Sequence, residues 1–200
     1  MLNIKNLEKF TKQAQTSIQN VVREYCQHLF LLYLYQQSGS ERLLFKGGTA
    51  LRLVFHSPRY SVDLDFTGVN ISQKEVEEIF TNTLADVENT GIHVELVEGK
   101  PTTGGYLGIA IFKAYERNVK VQIEVSLRNG KGVKGIRGLI ENDYIPAYTL
   151  VHLPKEEMVK GKMQALINRH KPRDFYDYFF LLCGIYRLVI ENESLTQGLR

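Results

Sequence analysis

Two short runs carry residues whose types and spacing could do chemistry. The first is Phe45 to Phe66, FKGGTALRLVFHSPRYSVDLDF, which opens on Lys46-Gly47-Gly48-Thr49 and closes on Asp63-Leu64-Asp65. Read as an alternating strand, Ser61 to Phe66 sends Val62, Leu64 and Phe66 to one face and Ser61, Asp63 and Asp65 to the other. The two carboxylates then leave one face, roughly 6.6 Å apart at the backbone. The second run, Val119 to Leu127, alternates in the same way. It puts Val119, Val121, Ile123, Val125 and Leu127 on one side and Lys120, Gln122, Glu124 and Ser126 on the other. If the two strands are neighbours, Glu124 joins the aspartates. Three carboxylates about 4 Å apart repel by ~4 kcal/mol per pair at an effective dielectric of about 20. Such a cluster persists when it is protonated, countered by cations or built to hold metal, and oxygen-only ligands suit Mg²⁺ or Mn²⁺. The plain alternative is a solvated polar face on a one-sided sheet.

The glycines have two readings as well. A strand running into Gly-Gly and then a helix N-terminus lets backbone N–H groups and the helix dipole approach a phosphate. Any tight strand-to-helix turn also favours glycine. The run is neither GxxxxGK[ST] nor GxGxxG. Its position raises its interest, because the following helix returns the chain to the acidic strand. Thr49 is expected to cap that helix, with Leu51, Val54 and Phe55 inward. Arg52 and Arg59 could reach a phosphate or simply balance the acid.

A third group lies near the C-terminus. Lys162 and Arg169 share a helix face at seven-residue spacing. His170-Lys171-Pro172-Arg173-Asp174 follows, and then Asp177. Asp174 and Asp177 share one face of the next helix, with Phe175, Phe179 and Leu182 expected on the opposite, core side. Clustered cations at a helix N-terminus suit an anion such as a triphosphate. Salt bridges from Lys162 and Arg173 to Asp174 and Asp177 are the structural alternative. The glycine-rich basic loop 129–138, with Lys131, Lys134 and Arg137, could track a nucleic-acid backbone or be a solvated hairpin. Tyr144, Tyr148, Tyr176 and Tyr178 could stack a base, or sit in the core or at its rim.

The elements that must position these residues follow from periodicity. Apolar steps of three and four predict a helix from about Leu7 to Gln37. Leu43 to Phe45 is a short strand, and Ser57-Pro58 ends the helix after the glycines. Ser72 with Glu75 forms a capping box for a helix running to about Asn89. Strands are predicted near His93–Val97, Tyr106–Tyr115 and Val119–Leu127, and helices over Met158–Arg169 and from Arg173 to about Val189. This order predicts an α+β fold with a mixed sheet covered by N- and C-terminal helices. One domain over 1–200 is expected, its core about 40–150 and its helical C-terminal part about 155–190. Hydrophobic content of 44% and charged content of 24% fit a globular chain, and a net charge of +3 only hints at an anionic partner. Cys26 and Cys183 read as reduced core thiols. The polar start MLNIKNLEKF is unlike a signal peptide, and no apolar run nears the ~20 residues of a membrane span. A cytoplasmic protein without membrane contact is expected.

Taken together, FKGGTAL, RYSVDLDF, VQIEVS and GKMQALINRHKPRDFYDY resemble the AbiEii/AbiGii-type nucleotidyltransferase toxins of bacterial toxin–antitoxin and phage-defence systems, over about residues 40–185. The resemblance implies a polymerase-β-like nucleotidyltransferase core, an acidic cluster dependent on Mg²⁺ (or Mn²⁺), an NTP substrate, an acceptor that is an RNA such as the 3′ end of tRNA or else a protein hydroxyl, and a cognate antitoxin protein. Carried over by motif, Lys46, Gly47, Gly48, Thr49, Arg59, Ser61 and Arg173 would border the nucleotide. Asp63 and Asp65 would hold metal and Lys162 would contact phosphate. Asp174 would be the acidic partner in the last motif, and Glu124 corresponds to the third carboxylate of the wider superfamily. Two other readings use the same residues. One is a metal-dependent phosphotransferase or nuclease; the other is a nucleotide-binding, antitoxin-docking protein without transfer activity.

Overall fold

The computed structural model describes residues 2–128 and 133–197, with side chains through residue 184. The chain divides into two compact units, Met1–Leu153 and Pro154–Arg200.

In the first unit, the single long N-terminal helix expected from periodicity is two helices, α1 (Ile4–Gln13) and α2 (Ile18–Leu34). Ser17 makes the break, its extended backbone and hydroxyl capping Asn20 N–H at 3.3 Å. Strand β1 (Leu43–Lys46) runs into α3 (Gly47–Phe55), and β2 (Leu64–Val69) leads to α4 (Gln73–Glu88). The Ser72–Glu75 capping box is present at the start of α4. Then come β3 (His93–Thr102), β4 (Gly105–Ala114) and β5 (Arg117–Arg128), followed by β6 (Ile136–Ile140) and β7 (Tyr148–His152). The last two strands were not expected. Of the loop predicted at 129–138, residues 129–132, with Lys131, lie outside the described residues, and 136–138 belong to β6 rather than to a loop.

The seven strands among the described residues form one mixed sheet in the order β3-β4-β5-β2-β1-β7-β6. β1 runs antiparallel to β2 and parallel to β7; β2 runs parallel to β5. The three central strands therefore carry both sequence runs that suggested chemistry. Their inward residues Phe45, Leu64, Phe66, Val121 and Ile123 are fully buried. Phe45 packs on Phe66 at 5.3 Å between ring centroids, and Phe80 of α4 meets Phe30 of α2 at 5.7 Å. The core is thus an aromatic layer between the sheet and α2 and α4.

The second unit pairs α5 (Lys155–Arg169) with α6 (Pro172–Gln197). Here the expected sidedness is reversed. Asp174 and Asp177 are buried at 1% exposure, whereas Phe175 and Phe179 are exposed at 64% and 58%. Cys183, expected in the core, is exposed, while Cys26 is buried. Burial pushes the Cys26 thiol up to about 12.

Candidate active site

The acidic strand begins later than alternation suggests. β2 starts at Leu64, so Asp65 is a strand residue and Asp63 lies in the segment just before it. Val62, expected to face inward, is 42% exposed. The reason is a set of bonds that hold residues 57–63 as a fixed connection instead of a strand. Gln27 Nε2, from buried α2, donates to the carbonyls of Ser61 (3.2 Å) and Val62 (3.1 Å). The Thr49 hydroxyl donates to the Asp63 carbonyl at 2.5 Å. Arg52 Nη1 donates to the Ser57 and Pro58 carbonyls at 3.2 and 3.4 Å. The Ser57 amide donates to Leu51 O at 2.9 Å, closing the end of α3. Asp63 is therefore placed by its backbone neighbours, and Asp65 by the sheet.

Thr49 was expected to cap α3. The helix begins three residues earlier than that cap implies, at Gly47, with Lys46 in the N-cap position and no side-chain cap. The hydroxyl of Thr49 is thereby free to tie α3 to the acidic segment. The face buried by α3 is also shifted: Ala50, Leu51 and Leu53 are buried, while Val54 and Phe55 are half-buried.

Gly47 adopts φ +81°, a backbone conformation that costs an L-residue about 1–2 kcal/mol. A Cβ there would overlap the Asp65 carboxylate and lie 2.8 Å from Asp65 Cβ. A Cβ on Gly48 would lie 2.5 Å from Arg59 Nη2 and 2.7 Å from Ser61 Oγ. The two glycines thus bring the start of α3 against Asp65 on one side and Arg59 and Ser61 on the other. Six residues singled out in sequence, Lys46, Gly47, Gly48, Arg59, Ser61 and Asp65, share one locality.

Across the sheet, Lys46 pairs in register with Asp65, and Asp65 with Glu124. Paired residues share a face, so Lys46, Asp65 and Glu124 form one polar row over β1, β2 and β5. Lys46 Nζ also donates to Ser126 Oγ at 3.2 Å. Burial lowers the Lys46 ammonium below its usual range, and Arg128 adds to that; Asp65 and Glu124 pull it back up. Gln122 Nε2 donates to exposed Glu124 Oε1 at 2.5 Å. Among the described residues, no group of three or more His, Cys, Asp or Glu side chains is gathered closely enough to hold a metal ion.

In the second unit, Lys162 Nζ donates to Asp177 Oδ2 at 2.7 Å and lies 3.8 Å from Asp174 Oδ1. Arg169 Nη2 donates to Asp174 Oδ1 at 3.0 Å. The interhelical ion pairs foreseen as an alternative are therefore present, with Arg169 rather than Arg173 as the second cation. Arg173 is exposed. Asp174 Oδ2 is buried without a hydrogen-bond partner among the described residues.

Sequence reasoning passed over Gln27 and Arg128, and placed Ser126 on the polar face without giving it a partner. The signal for Gln27 was present: Gln27 and His28 follow Glu24 at three- and four-residue steps on α2, among Val21, Val22, Tyr25, Cys26 and Leu29, and all three polar residues are buried. A polar stripe inside a buried helix must have partners.

Comparison with known proteins agrees with this geometry at the level of fold and family. The fold resembles that of JHP933 from Helicobacter pylori at a TM-score of 0.56 and 22% identity, over 82% of this chain and 66% of that one. A second H. pylori protein, named as a candidate nucleotidyltransferase, aligns at the same TM-score and identity, over 82% of this chain and 68% of its own. An 85-residue stretch is 26% identical to imidazoleglycerol-phosphate dehydratase of Prochlorococcus marinus subsp. pastoris, covering 42% of each protein. The chain thus spans less than half of the curated relatives it matches, and that short likeness assigns no family. Residues 29–191 match the family described as Nucleotidyl transferase AbiEii toxin, Type IV TA system. With most of its length inside that match, the chain belongs to the AbiEii nucleotidyl transferase toxin family.

Proposed function

We propose that the chain transfers a nucleoside monophosphate from an NTP to a hydroxyl of an RNA acceptor, the 3′ end of a tRNA foremost. It would act as the toxin of a phage-defence toxin–antitoxin pair, opposed by a cognate antitoxin protein. The observation that supports this best is the seating of the Gly47 backbone against Asp65, in a row with Lys46 and Glu124.

The donor set suits a hard divalent cation: Asp63, Asp65 and Glu124 offer only oxygen, and Mg²⁺ commonly takes one or two carboxylates and completes its shell with phosphate oxygens and water. By family motif Asp63 and Asp65 would hold it; Glu124 corresponds to the superfamily's third carboxylate but is not gathered with the two aspartates into a three-carboxylate group among the described residues. Bound there, the cation would neutralise triphosphate charge and acidify the acceptor hydroxyl. The chain's own groups do the rest. The first amides of α3, freed by Gly47 and Gly48, point donors and the positive helix end at phosphate oxygens. Lys46 adds a cation beside Asp65. Arg59 and Ser61 flank the same turn, and Thr49 holds the segment carrying Asp63. The acceptor oxygen bonds to the α-phosphorus, the bond to the bridging oxygen breaks, and pyrophosphate leaves with that electron pair. The hydroxyl proton passes to a carboxylate or to water. By family motif, Lys162 would contact phosphate, Arg173 would border the nucleotide and Asp174 would be the acidic partner; Lys162 and Asp174 are held in their own ion-pair network.

The test is incubation of the protein with total tRNA, Mg²⁺ and each α-labelled NTP in turn. Label should enter tRNA with release of pyrophosphate, and Asp63→Asn and Asp65→Asn should each abolish it. RNA shortening or phosphate release would instead indicate a nuclease or phosphotransferase. Saturable NTP binding without any transfer would indicate a sensor or docking protein.

A further inference from the structure

Ser126 of β5 has no role in the transfer chemistry proposed above, yet its hydroxyl accepts from Lys46 Nζ at 3.2 Å. The two residues are not on neighbouring strands, because β2 lies between β1 and β5. Lys46 pairs in register with Asp65, whereas Ser126 pairs with Thr67, two residues further along β2. Adjacent strands are about 4.7–4.9 Å apart, so the lysine stem must reach across two such spacings, and diagonally as well. It therefore lies along the sheet and crosses β2 on the face that Asp65 and Glu124 share.

A lysine on a strand ordinarily runs out to water and keeps its rotamers. Fixing one costs more side-chain entropy than fixing almost any other residue. One hydrogen bond to a neutral hydroxyl offsets little of that. The gain lies in where the charge is held. Lys46 is half-buried and closes no ion pair among the described residues. Asp65 and Glu124 both attract its ammonium, and a lysine without an anchor would fold back on one of them. Ser126 gives it a neutral end point instead. Directly opposite Ser126 on β4 stands Gly105, so no side chain from that position crowds the hydroxyl. Arg128, two residues on, shares the face and repels the ammonium, which limits how far the lysine can slide along β5.

We propose that Ser126 is the positioning residue for Lys46. It holds the ammonium over β2, apart from the carboxylates of the row, where it meets the negative charge of the NTP phosphates. Ser126 itself touches no substrate and acts through Lys46. This role rests on the transfer reading of the same row.

The test combines steady-state transfer to tRNA with calorimetric binding of each NTP in turn, with Mg²⁺ and without RNA. The proteins are wild type, Ser126→Ala, Ser126→Thr, Lys46→Met and the double variant Lys46→Met/Ser126→Ala. Ser126→Ala should raise KM for the NTP and weaken its binding roughly five- to tenfold, the worth of one hydrogen bond, while kcat changes less than about twofold. Ser126→Thr keeps the hydroxyl and should stay within about twofold of wild type. In the Lys46→Met background Ser126→Ala should have no further effect, because the lysine through which it acts is gone. Acylation with an amine-selective reagent, read by mass spectrometry, reports the placement without any substrate: Lys46 should label severalfold faster in Ser126→Ala than in wild type. Unchanged NTP affinity in Ser126→Ala, unchanged Lys46 labelling, or an equal loss with and without Lys46 would each overturn the role while leaving the transfer reading intact. A wild-type protein that neither binds nor transfers any NTP would overturn the transfer reading, and this role with it.

Discussion

Replacing Gly47 by alanine should damage both fold and activity, and replacing Gly48 should do much less. The contrast follows from two local facts. Gly47 sits at φ +81°, whereas Gly48 has no positive φ. Moving an alanine into the left-handed region costs about 1–2 kcal/mol. The new methyl would also overlap the Asp65 carboxylate, 2.8 Å from Asp65 Cβ. Asp65 must leave its rotamer, at about 0.5–1.5 kcal/mol more. The sum is about 1.5–3.5 kcal/mol, and a chain of this size loses roughly 2–4 °C of Tm per kcal/mol. A fall of about 3–14 °C is expected. Displacing a carboxylate by ~1 Å in a positioned site costs on the order of 100-fold in rate. Labelled-NTP transfer to tRNA should therefore drop at least that far while the protein still folds. At Gly48 the methyl meets the end of Arg59 and the Ser61 hydroxyl, which can change rotamer, and comes 3.3 Å from Ser61 Cβ, which needs to give by only a few tenths of an ångström, so stability should change by less than about 1 kcal/mol. Thermal melts and transfer assays on both variants decide the matter. A Gly47→Ala protein with wild-type Tm and rate, or a Gly48→Ala protein losing equal stability, would refute the argument.

Four further outcomes are expected. Gln27→Leu strands the Ser61 and Val62 carbonyls, costing about 1–3 kcal/mol; amide exchange at 61–65 should rise and activity should fall further than stability. The unfolded His28 imidazole titrates near 6.5 and the folded one near 3, so protonation favours the unfolded chain. Stability should decline as pH falls from about 6.5 toward 3, by at most about 1.4 kcal/mol per pH unit from this group; urea midpoints across that range should fall less steeply in His28→Gln. In the second unit, Phe179→Ser should shift stability by less than about 0.5 kcal/mol because the ring is exposed. Asp177→Ala leaves Lys162 without its 2.7 Å partner and should cost about 3–5 kcal/mol, read by urea denaturation of the whole chain.

Local signals that depend on nearby residues alone were legible. The Ser72–Glu75 capping box is one, and the strict alternation of β5 is another. The glycine pair and Asp65 could be grouped from sequence because one short helix separates them, and the sheet does pair their strands. What alternation could not reveal was where β2 begins, because the side chain that holds Ser61 and Val62 out of the ladder comes from distant α2. The reversed face of α6 has a similar origin. A helix with acids on one side and phenylalanines on the other ordinarily buries the phenylalanines. Lys162 and Arg169 on the neighbouring helix neutralise Asp174 and Asp177, and the charged side becomes the packed one. Strand β6 was missed because Ile136 to Gly138 continue a glycine-rich basic run that reads as a loop.

The strand order also has a consequence during synthesis. Lys46 and Asp65 leave the ribosome close together, but Glu124 joins them only when β5 docks alongside β2, and β1 gains its other neighbour only with β7. Pairings between distant segments close late, after the loop entropy between them has been overcome. A chain still being translated, with residues 119–152 inside the ribosome tunnel, cannot complete the central strands. If the proposed toxicity rests on that row, the nascent chain is harmless to the ribosome producing it, and an interrupted synthesis releases fragments without the polar row intact.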